Sequence, residues 1–154
     1  MIYKLYTDGA TSNNGYENSN GGWAWALVAN DRLLKFDSDG IAPATNNICE
    51  LTALIKGCRA AETELEFGDM VLVYSDSAYA INCYKQKWYK SWQRNGWVNS
   101  KKQPVANAEL WAQLIPFFEH PNFKFEKIAG HQGHEWNEYV DRLAVKAKSK
   151  FANS

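Results

Sequence analysis

The chain opens with a stretch in which apolar and aromatic side chains surround single polar ones. These side chains recur at Ile2, Tyr3, Leu5 and Tyr6. The pattern predicts a strand over residues 1–9 that carries Asp8 at its end, with Gly9 letting the backbone turn away. A buried, unpaired charge costs several kcal/mol, so Asp8 requires a basic partner, hydrogen-bond donors or a metal ion.

Two further strands are predicted over residues 23–29 and 32–36, with a turn at Asn30-Asp31 between them. Three consecutive strands indicate an antiparallel meander. The polar, turn-rich loop that separates the first two strands is long for a hairpin, and long loops at strand ends are common places for binding.

The pattern then changes to a helical period. Residues 43–47 offer several capping side chains, and the apolar face comprises Ile48, Leu51, Ile55, Cys58 and Leu65. We expect Glu50 in the first turn of this helix and Gly68 at its end. A strand of the fully buried kind follows over residues 70–74 and leads into a second carboxylate, Asp76.

Positive charge and aromatic rings alternate between Asp76 and Glu109, and no acidic residue lies between these two. The cations are Lys85, Lys87, Lys90, Arg94, Lys101 and Lys102, and the rings belong to Trp88, Tyr89, Trp92 and Trp97. Nucleic-acid grooves combine ammonium groups for phosphates with rings for sugars or bases. The alternative is a solvated amphipathic surface that carries some core tryptophans.

The remaining pattern predicts helices over residues 79–84 and 107–118 and an alternating strand over 123–129. The second of these helices offers Leu110, Trp111 and Leu114 to the core. A last helix follows a Gly-His-Gln-Gly-His loop. Its apolar face comprises Val140, Leu143, Ala144, Ala147 and Phe151, with Asn137 and Asp141 on a neighbouring face. Strands and helices in this order indicate an α/β fold.

Composition narrows the class of protein. A length of 154 residues predicts one domain, and 17 basic against 17 acidic residues give no net charge that would suggest a polyanion partner. Three cysteines without a CxxC pair argue against disulfides and zinc. No apolar run approaches the ~20 residues that span a bilayer, and no signal peptide is recognised, so we expect a cytoplasmic protein with no membrane partner.

Four carboxylates occupy element ends or turns: Asp8, Glu50, Asp76 and Asp141. If the strands that carry Asp8 and Asp76 are adjacent and parallel, both side chains emerge at one edge of the sheet. Oxygen ligands suit Mg²⁺ or Mn²⁺, and two such ions about 3.5–4 Å apart can cleave a phosphodiester. Taken singly, each acidic residue is more often a turn former, a cap or a helix-dipole partner.

Several motifs of the chain, taken together, resemble those of a known family, ribonuclease H type 1. The matching motifs are Thr7-Asp8-Gly9, Thr45-Asn46-Asn47 with Glu50-Leu51, Ser75-Asp76-Ser77, Gly130-His131-Gln132-Gly133-His134, and Asn137 with Asp141-Arg142-Leu143-Ala144. The segment from Trp88 to Trp111 is similar to the basic handle of that family. The resemblance covers nearly the whole chain, and its motifs keep their order.

The resemblance implies a ribonuclease H-like fold, with a five-stranded mixed sheet flanked by helices, as a single catalytic domain over residues 1–154 with a handle at about 85–106. It implies endonucleolytic cleavage of the RNA strand of an RNA–DNA hybrid, with 5′-phosphate and 3′-hydroxyl ends and little sequence preference. Asp8, Glu50, Asp76 and Asp141 would ligate two Mg²⁺ ions, with Mn²⁺ as a substitute. Glu50 would also lie near the RNA 2′-hydroxyl, and His131 would assist proton transfer or product release.

The same resemblance implies a set of substrate contacts. Asn14, Asn46 and Asn47 would lie in the minor groove; Thr45 and Asn107 would hold a DNA phosphate; Tyr79, Trp88 and Trp92 would line the DNA strand; Lys101, Lys102 and Asn137 complete the set. Two features depart from the family: a longer loop over residues 14–22, which carries Glu17, and Pro43 where some relatives have a basic residue. The first lies at the contacts implied for Asn14, and the second lies near the implied DNA phosphate.

Other functions compatible with the sequence are a non-catalytic hybrid-binding module, a DNA nuclease on the same fold and a domain linked to a reverse transcriptase. The four acidic positions argue against the binding module, and the handle with the Gly-His loop argues against the DNA nuclease. We expect a monomer.

Overall fold

A computed structural model describes residues 1–12, 19–128 and 135–151. The described residues form five strands, five α-helices and a short final 3₁₀ turn. The strands are β1 (Ile2–Thr11), β2 (Gly21–Ala29), β3 (Arg32–Ile41), β4 (Met70–Ser75) and β5 (Phe123–Lys127). The α-helices are α1 (Asn46–Glu62), α2 (Ala78–Gln86), α3 (Trp88–Arg94), α4 (Ala108–Phe118) and α5 (Glu135–Lys148).

One mixed sheet joins all five strands in the order β3-β2-β1-β4-β5. The first three strands form the predicted antiparallel meander, with Asn30 and Asp31 in the left-handed region at its turn (φ 52° and 60°). β4 pairs in parallel with both β1 and β5. The predicted five-stranded α/β architecture is therefore confirmed, and β1 lies at its centre between an antiparallel and a parallel neighbour.

Two hydrophobic layers cover the sheet. The larger one lies on the side of α1 to α4 and contains Trp111, Phe123 and Phe125, all fully buried, while α5 closes the other side through Val140 and Ala144. Because α5 packs mainly on β1, β2 and β3, the outer face of β4 is only partly covered by the described residues. The prediction that β4 is fully buried is thus wrong: its residues alternate between buried and half-buried.

Several predicted boundaries also need correction: the strand predicted over residues 32–36 extends to Ile41, and the one predicted over 123–129 ends at Lys127. β1 does not end at Gly9 but continues to Thr11, because β2 still pairs with it there. The first helix ends at Glu62, so Leu65 packs on the core from outside the helix. Gly68 lies beyond it at φ +87°, in a turn that the Asp69 carboxylate closes by accepting the Glu66 amide at 2.9 Å. None of the described helices is long and apolar enough to cross a bilayer.

Candidate active site

The parallel pairing of β1 with β4 brings two carboxylates to one edge of the sheet. The paired residues run from Ile2 opposite Met70 to Tyr6 opposite Tyr74. Asp8 and Asp76 each lie two residues beyond this last pair, at the point where the two strands separate. Open α/β sheets place their sites at such strand ends, and the predicted convergence of these two side chains is what the structure shows.

α1 supplies the third carboxylate. Thr45 caps this helix by accepting the Ile48 amide at 3.2 Å, and no acidic residue lies in the first turn. Glu50 therefore belongs to the second turn, not the first as predicted. A Cβ atom on Gly9 would lie 2.7 Å from the Glu50 nitrogen and from the carbonyl carbon of Cys49. Glycine at this position thus allows α1 to lie close enough to β1 for Glu50 to reach Asp8.

Three carboxylates converge here, because Asp8, Glu50 and Asp76 place ligand oxygens within 4.8 Å of one another. Asp8 and Glu50 are buried, with exposed fractions of 4% and 5%, whereas Asp76 is exposed. Asp141, on α5, is exposed and lines the same open cleft, whose volume is about 410 Å³. The structure therefore brings all four predicted acidic residues to one cleft, with three of them in direct proximity.

Burial and mutual repulsion change the acidity of this cluster. Burial, followed by the charge of Asp76 and contact with the Asp141 carboxyl group, raises the pKa of Asp8 from 3.8 to about 8. Burial and the charge of Asp8 raise the pKa of Glu50 well above its usual range. Partial desolvation raises the pKa of Asp76 as well, and a hydrogen bond with the Glu50 side chain is the main influence that opposes this rise. Without a cation, the cluster therefore holds protons at neutral pH.

The cluster fits a divalent metal ion. Within the described part of the chain, Glu50 Oε2 is buried without a hydrogen-bond partner, and no ion pair neutralises Asp8, Glu50 or Asp76. A buried carboxylate oxygen with no partner is costly unless something positive binds it. The donor atoms are all carboxylate oxygens, which hard cations such as Mg²⁺ and Mn²⁺ prefer.

Several predicted substrate residues border the same cleft. Asn46 and Asn47 at the start of α1 are exposed there, and half-buried Tyr79 lines the same cleft. Asn137 is half-buried on α5, one helical turn before Asp141. Thr45 is the helix cap already described, so its hydroxyl oxygen has a structural bond as well as any contact with a substrate.

The aromatic rings connect this cleft to the handle. The Tyr79 hydroxyl accepts a hydrogen bond from the Trp111 indole at 3.2 Å, and its ring centre lies 6.5 Å from that of Trp88. Trp92 stacks at a tilt against Trp97 and Trp111, at 6.1 and 5.5 Å. Trp88 and Trp92 are both half-buried and pack on the main core, so each ring serves the fold and leaves an edge at the surface.

The predicted cations are presented by a tight turn after α3. The Asn99 side chain accepts the amides of Lys101 and Gln103 at 2.9 and 3.0 Å, which fixes this turn and leaves Lys101 and Lys102 exposed. Lys85 differs from them because it pairs with Glu126 at 3.0 Å. Asn107 precedes α4 in the left-handed region (φ 60°), and its side chain makes no capping bond with that helix.

Sequence reasoning missed residues that support the site without lining it. Asn99 is one, and the pair Ser75 and Ser77 is another: the Ser75 hydroxyl oxygen accepts the Ser77 amide, and the Ser77 hydroxyl oxygen caps α2 at Ala80, both at 3.1 Å. These bonds hold the backbone on both sides of Asp76. Both serines belong to the Ser75-Asp76-Ser77 motif, but only the preference of serine for helix N-caps could have predicted their supporting role.

Two predicted site residues, Asn14 and His131, lie outside the described residues, and so does the rest of the Gly-His loop.

A mixed five-stranded sheet that gathers carboxylates from β1, from the end of β4 and from two helices at one edge defines a class of proteins, those with an acidic site for divalent cations on an α/β scaffold. Comparison with known proteins narrows this class. The family model described as RNase H matches residues 2–149. A ribonuclease H of Syntrophomonas wolfei is 43% identical over 143 residues, which cover 93% of each chain. A ribonuclease H of Symbiobacterium thermophilum is 40% identical over 141 residues, covering 91% of this chain and 90% of the relative.

The chain belongs to the RNase H family. It is therefore a nuclease of the hydrolase class that depends on a divalent metal ion.

Solved structures agree on the fold. A foamy viral protease-reverse transcriptase in complex with dsDNA gives a TM-score of 0.80 at 20% identity, with 95% of this chain and 93% of that chain covered. LC9-RNase H1, a type 1 RNase H with the type 2 active-site motif, gives a TM-score of 0.79 at 22% identity, with 96% and 72% covered. Identities this low carry the fold and no more.

Proposed function

We propose that this chain is a single catalytic domain, over residues 1–154, that hydrolyses the RNA strand of RNA–DNA hybrids endonucleolytically. The products carry 5′-phosphate and 3′-hydroxyl ends, and cleavage shows little sequence specificity. One observation carries the proposal: in a chain of this family, Asp8, Glu50 and Asp76 converge within 4.8 Å around a buried oxygen that has no partner in the described structure. A related fold has been solved as a foamy viral protease-reverse transcriptase with an RNA/DNA hybrid.

Asp8, Glu50, Asp76 and Asp141 are the proposed ligands of two Mg²⁺ ions, with Mn²⁺ as a substitute. Such a pair of ions, when bound, supplies an activated water and offsets the charge on the leaving oxygen. The carboxylates contribute by giving up their protons and holding the cations close to the scissile phosphate. Burial and repulsion raise the pKa values of Asp8 and Glu50, so these side chains release protons when a cation binds. Cation binding is therefore stronger at higher pH.

Discrimination between RNA and DNA is proposed to depend on the ribose 2′-hydroxyl and on groove shape. Glu50 and the exposed Asn46 and Asn47 border the cleft where a ribose-bearing strand would lie. Tyr79 and the edges of Trp88 form the wall proposed for the DNA strand, where a deoxyribose packs on a ring and a 2′-hydroxyl would be crowded. His131 and Asn14 keep their proposed roles in proton transfer and in minor-groove contact.

Affinity is proposed to come from the handle. Lys101 and Lys102 project from the turn that Asn99 fixes, and neither forms an ion pair with a described residue. Exposed cations of this kind bind phosphates by releasing counterions, with no reading of sequence. Thr45, Asn107 and Trp92 extend the proposed contact with the DNA strand, and Asn137 lies beside Asp141. We further propose that the protein acts as a monomer in the cytoplasm.

The test is cleavage of three labelled duplexes, an RNA–DNA hybrid, duplex DNA and duplex RNA, at increasing Mg²⁺. We expect nicking of the RNA strand of the hybrid alone. Asp76→Asn should abolish turnover while hybrid binding, measured in parallel, survives, because phosphate no longer meets that negative charge. Cleavage of all three duplexes would exclude hybrid specificity, and tight hybrid binding without cleavage would favour the non-catalytic binding module.

A further inference from the structure

We propose that Thr7 is a positioning residue for the metal site, because its hydroxyl ties β1 to β4 at the point where the two strands separate. The Thr7 Oγ1 donates a hydrogen bond to the Tyr74 carbonyl at 3.1 Å, and the Thr7 residue is 1% exposed. The inference rests on the proposed function, since it concerns how the carboxylates are held for a divalent cation.

The bond lies where the regular pairing of these strands stops. Tyr6 opposite Tyr74 is the last registered pair between β1 and β4. One residue later β4 is still paired with its other neighbour, β5, and the Ser75 carbonyl accepts the Ile128 amide at 2.9 Å. β1 meanwhile continues with β2 as far as Thr11. The Thr7 hydroxyl thus joins the two strands just beyond their last registered pair, where each strand remains paired only with its other neighbour.

The separation of the strands matters because a carboxylate stands next to each end of this bond. Asp8 directly follows Thr7, and Asp76 comes two residues after Tyr74. Their oxygens lie within 4.8 Å, so when both carboxylates lose their protons, as cation binding requires, they repel each other and push the strand ends apart. A cation site needs its ligands held in place before the ion arrives, and the Thr7 bond opposes that displacement.

The chemistry of threonine suits this position. Its branched side chain favours the strand conformation and packs in the core, while its hydroxyl supplies the donor. Valine keeps the shape and removes the donor, and serine keeps the donor and removes the methyl group. Alanine differs from serine by the hydroxyl alone. The pairs Thr–Val and Ser–Ala at residue 7 therefore separate the hydrogen bond from packing.

The experiment measures Mn²⁺ binding to the intact protein without substrate, by calorimetry and by the electron paramagnetic resonance of free Mn²⁺, and records unfolding temperature in EDTA. We expect Thr7→Val to weaken Mn²⁺ binding about tenfold, the low end for partners that orient metal ligands. Thr7→Ser should stay within about twofold of the starting protein, and Thr7→Ala should show the same loss of about tenfold, so that it replaces the valine variant if that variant fails to fold. Thr63→Val is the matched control, because it removes a hydroxyl-to-carbonyl bond, to Ala60 at 2.7 Å, at the distant end of α1.

A purely structural role would lower the unfolding temperature of the hydroxyl-deficient variants and leave Mn²⁺ affinity unchanged, which would overturn the proposal. So would a serine variant as weak as alanine, an equal loss in Thr63→Val, or a starting protein that binds no Mn²⁺. If the starting protein binds Mn²⁺ and shows this pattern but cuts no hybrid, the proposed function fails while the role of Thr7 in holding the metal site stands.

Discussion

Replacing Asp8 by asparagine should stabilise the metal-free protein while it removes the activity. Asp8 is buried in a cluster where its charge meets Glu50 and Asp76, and its own hydrogen bond, from the Gly9 amide at 2.9 Å, does not compensate. Asparagine has nearly the same shape and carries no charge. The stabilisation should grow with pH, because only an ionised Asp8 is costly.

The magnitude follows from the pKa of Asp8, which folding raises from 3.8 to about 8. A group whose pKa is higher in the folded state stabilises that state below the unfolded pKa, and this contribution is lost as pH rises towards the folded pKa. Each pH unit in that interval is worth about 1.4 kcal/mol, so the loss has a ceiling of about 6 kcal/mol. The cost of burying the asparagine amide offsets part of this difference. We expect the free energy of unfolding of Asp8→Asn to exceed that of the starting protein by about 2–4 kcal/mol at pH 8 and by about 1 kcal/mol at pH 5.

The assay is urea unfolding followed by circular dichroism, in EDTA and in Mg²⁺, at pH 5 and pH 8. Cation binding to the folded state stabilises the starting protein by RT ln(1 + [Mg²⁺]/Kd), and the variant has lost a ligand. The advantage of Asp8→Asn in EDTA should therefore shrink or reverse in Mg²⁺. For a chain of this length, a gain of about 2 kcal/mol also raises the unfolding temperature by roughly 4–8 °C.

Asp39→Asn is the control, because it removes a carboxylate of the opposite kind. Asp39 is exposed on β3 and bonds to Lys150 at 2.6 Å, which lowers the pKa of Asp39, so its loss should bring no gain in stability as pH rises. If Asp8→Asn were no more stable than the starting protein at pH 8 in EDTA, or if its advantage did not increase with pH, the site could not be a cluster of repelling, buried carboxylates.

Three further predictions concern other parts of the molecule. Neutralising Lys101 and Lys102 together should weaken hybrid binding and flatten the slope of log affinity against log salt by about 0.9 for each lost phosphate contact. Lys35→Ala, which removes the ion-pair partner of Glu64, just beyond the end of α1, should leave the slope unchanged. Equal slopes for the two changes would mean that the handle faces solvent. Gly9→Ala should cost about 1–3 kcal/mol of stability in a urea titration and lower Mg²⁺-dependent cleavage, because its Cβ would lie 2.7 Å from the α1 backbone; an alanine variant with normal stability would show that α1 can move away freely. Cys49, buried and with its pKa raised to about 11, should resist a thiol reagent in the folded protein at pH 8, and rapid labelling there would contradict its burial.

The alternation and period of the sequence predicted the elements because they report which side chains face a core. They could not predict what covers each face. The half-burial of Leu72 and Tyr74 follows from the position of α5 over β1 to β3, and no pattern within β4 contains that information. The end of the first helix was predicted wrongly for a related reason. Leu65 continues the apolar period beyond Glu62, and only the turn around Asp69 shows that the helix has ended.

The acidic residues of the site were predictable because strand ends and motifs mark them, but their geometry was not. The burial of Glu50 depends on the close approach that Gly9 permits, and the bond from Thr7 to Tyr74 depends on register. Both require the packed structure. The position of Asp141 was unpredictable for the same reason, since it depends on how α5 packs on the sheet and not on the spacing of residues in the sequence.

Asp141 comes from α5, which follows all five described strands in the sequence, and this order matters during protein synthesis. While a ribosome is still translating α5, the emerged polypeptide can pair β1 with β4 and gather three carboxylates, but the fourth is absent or still in the exit tunnel. A product interrupted before Glu135 would lack it permanently. A ribonuclease of this kind thus acquires its complete acidic site only after α5 has been synthesised, later than the segments that carry its other three carboxylates.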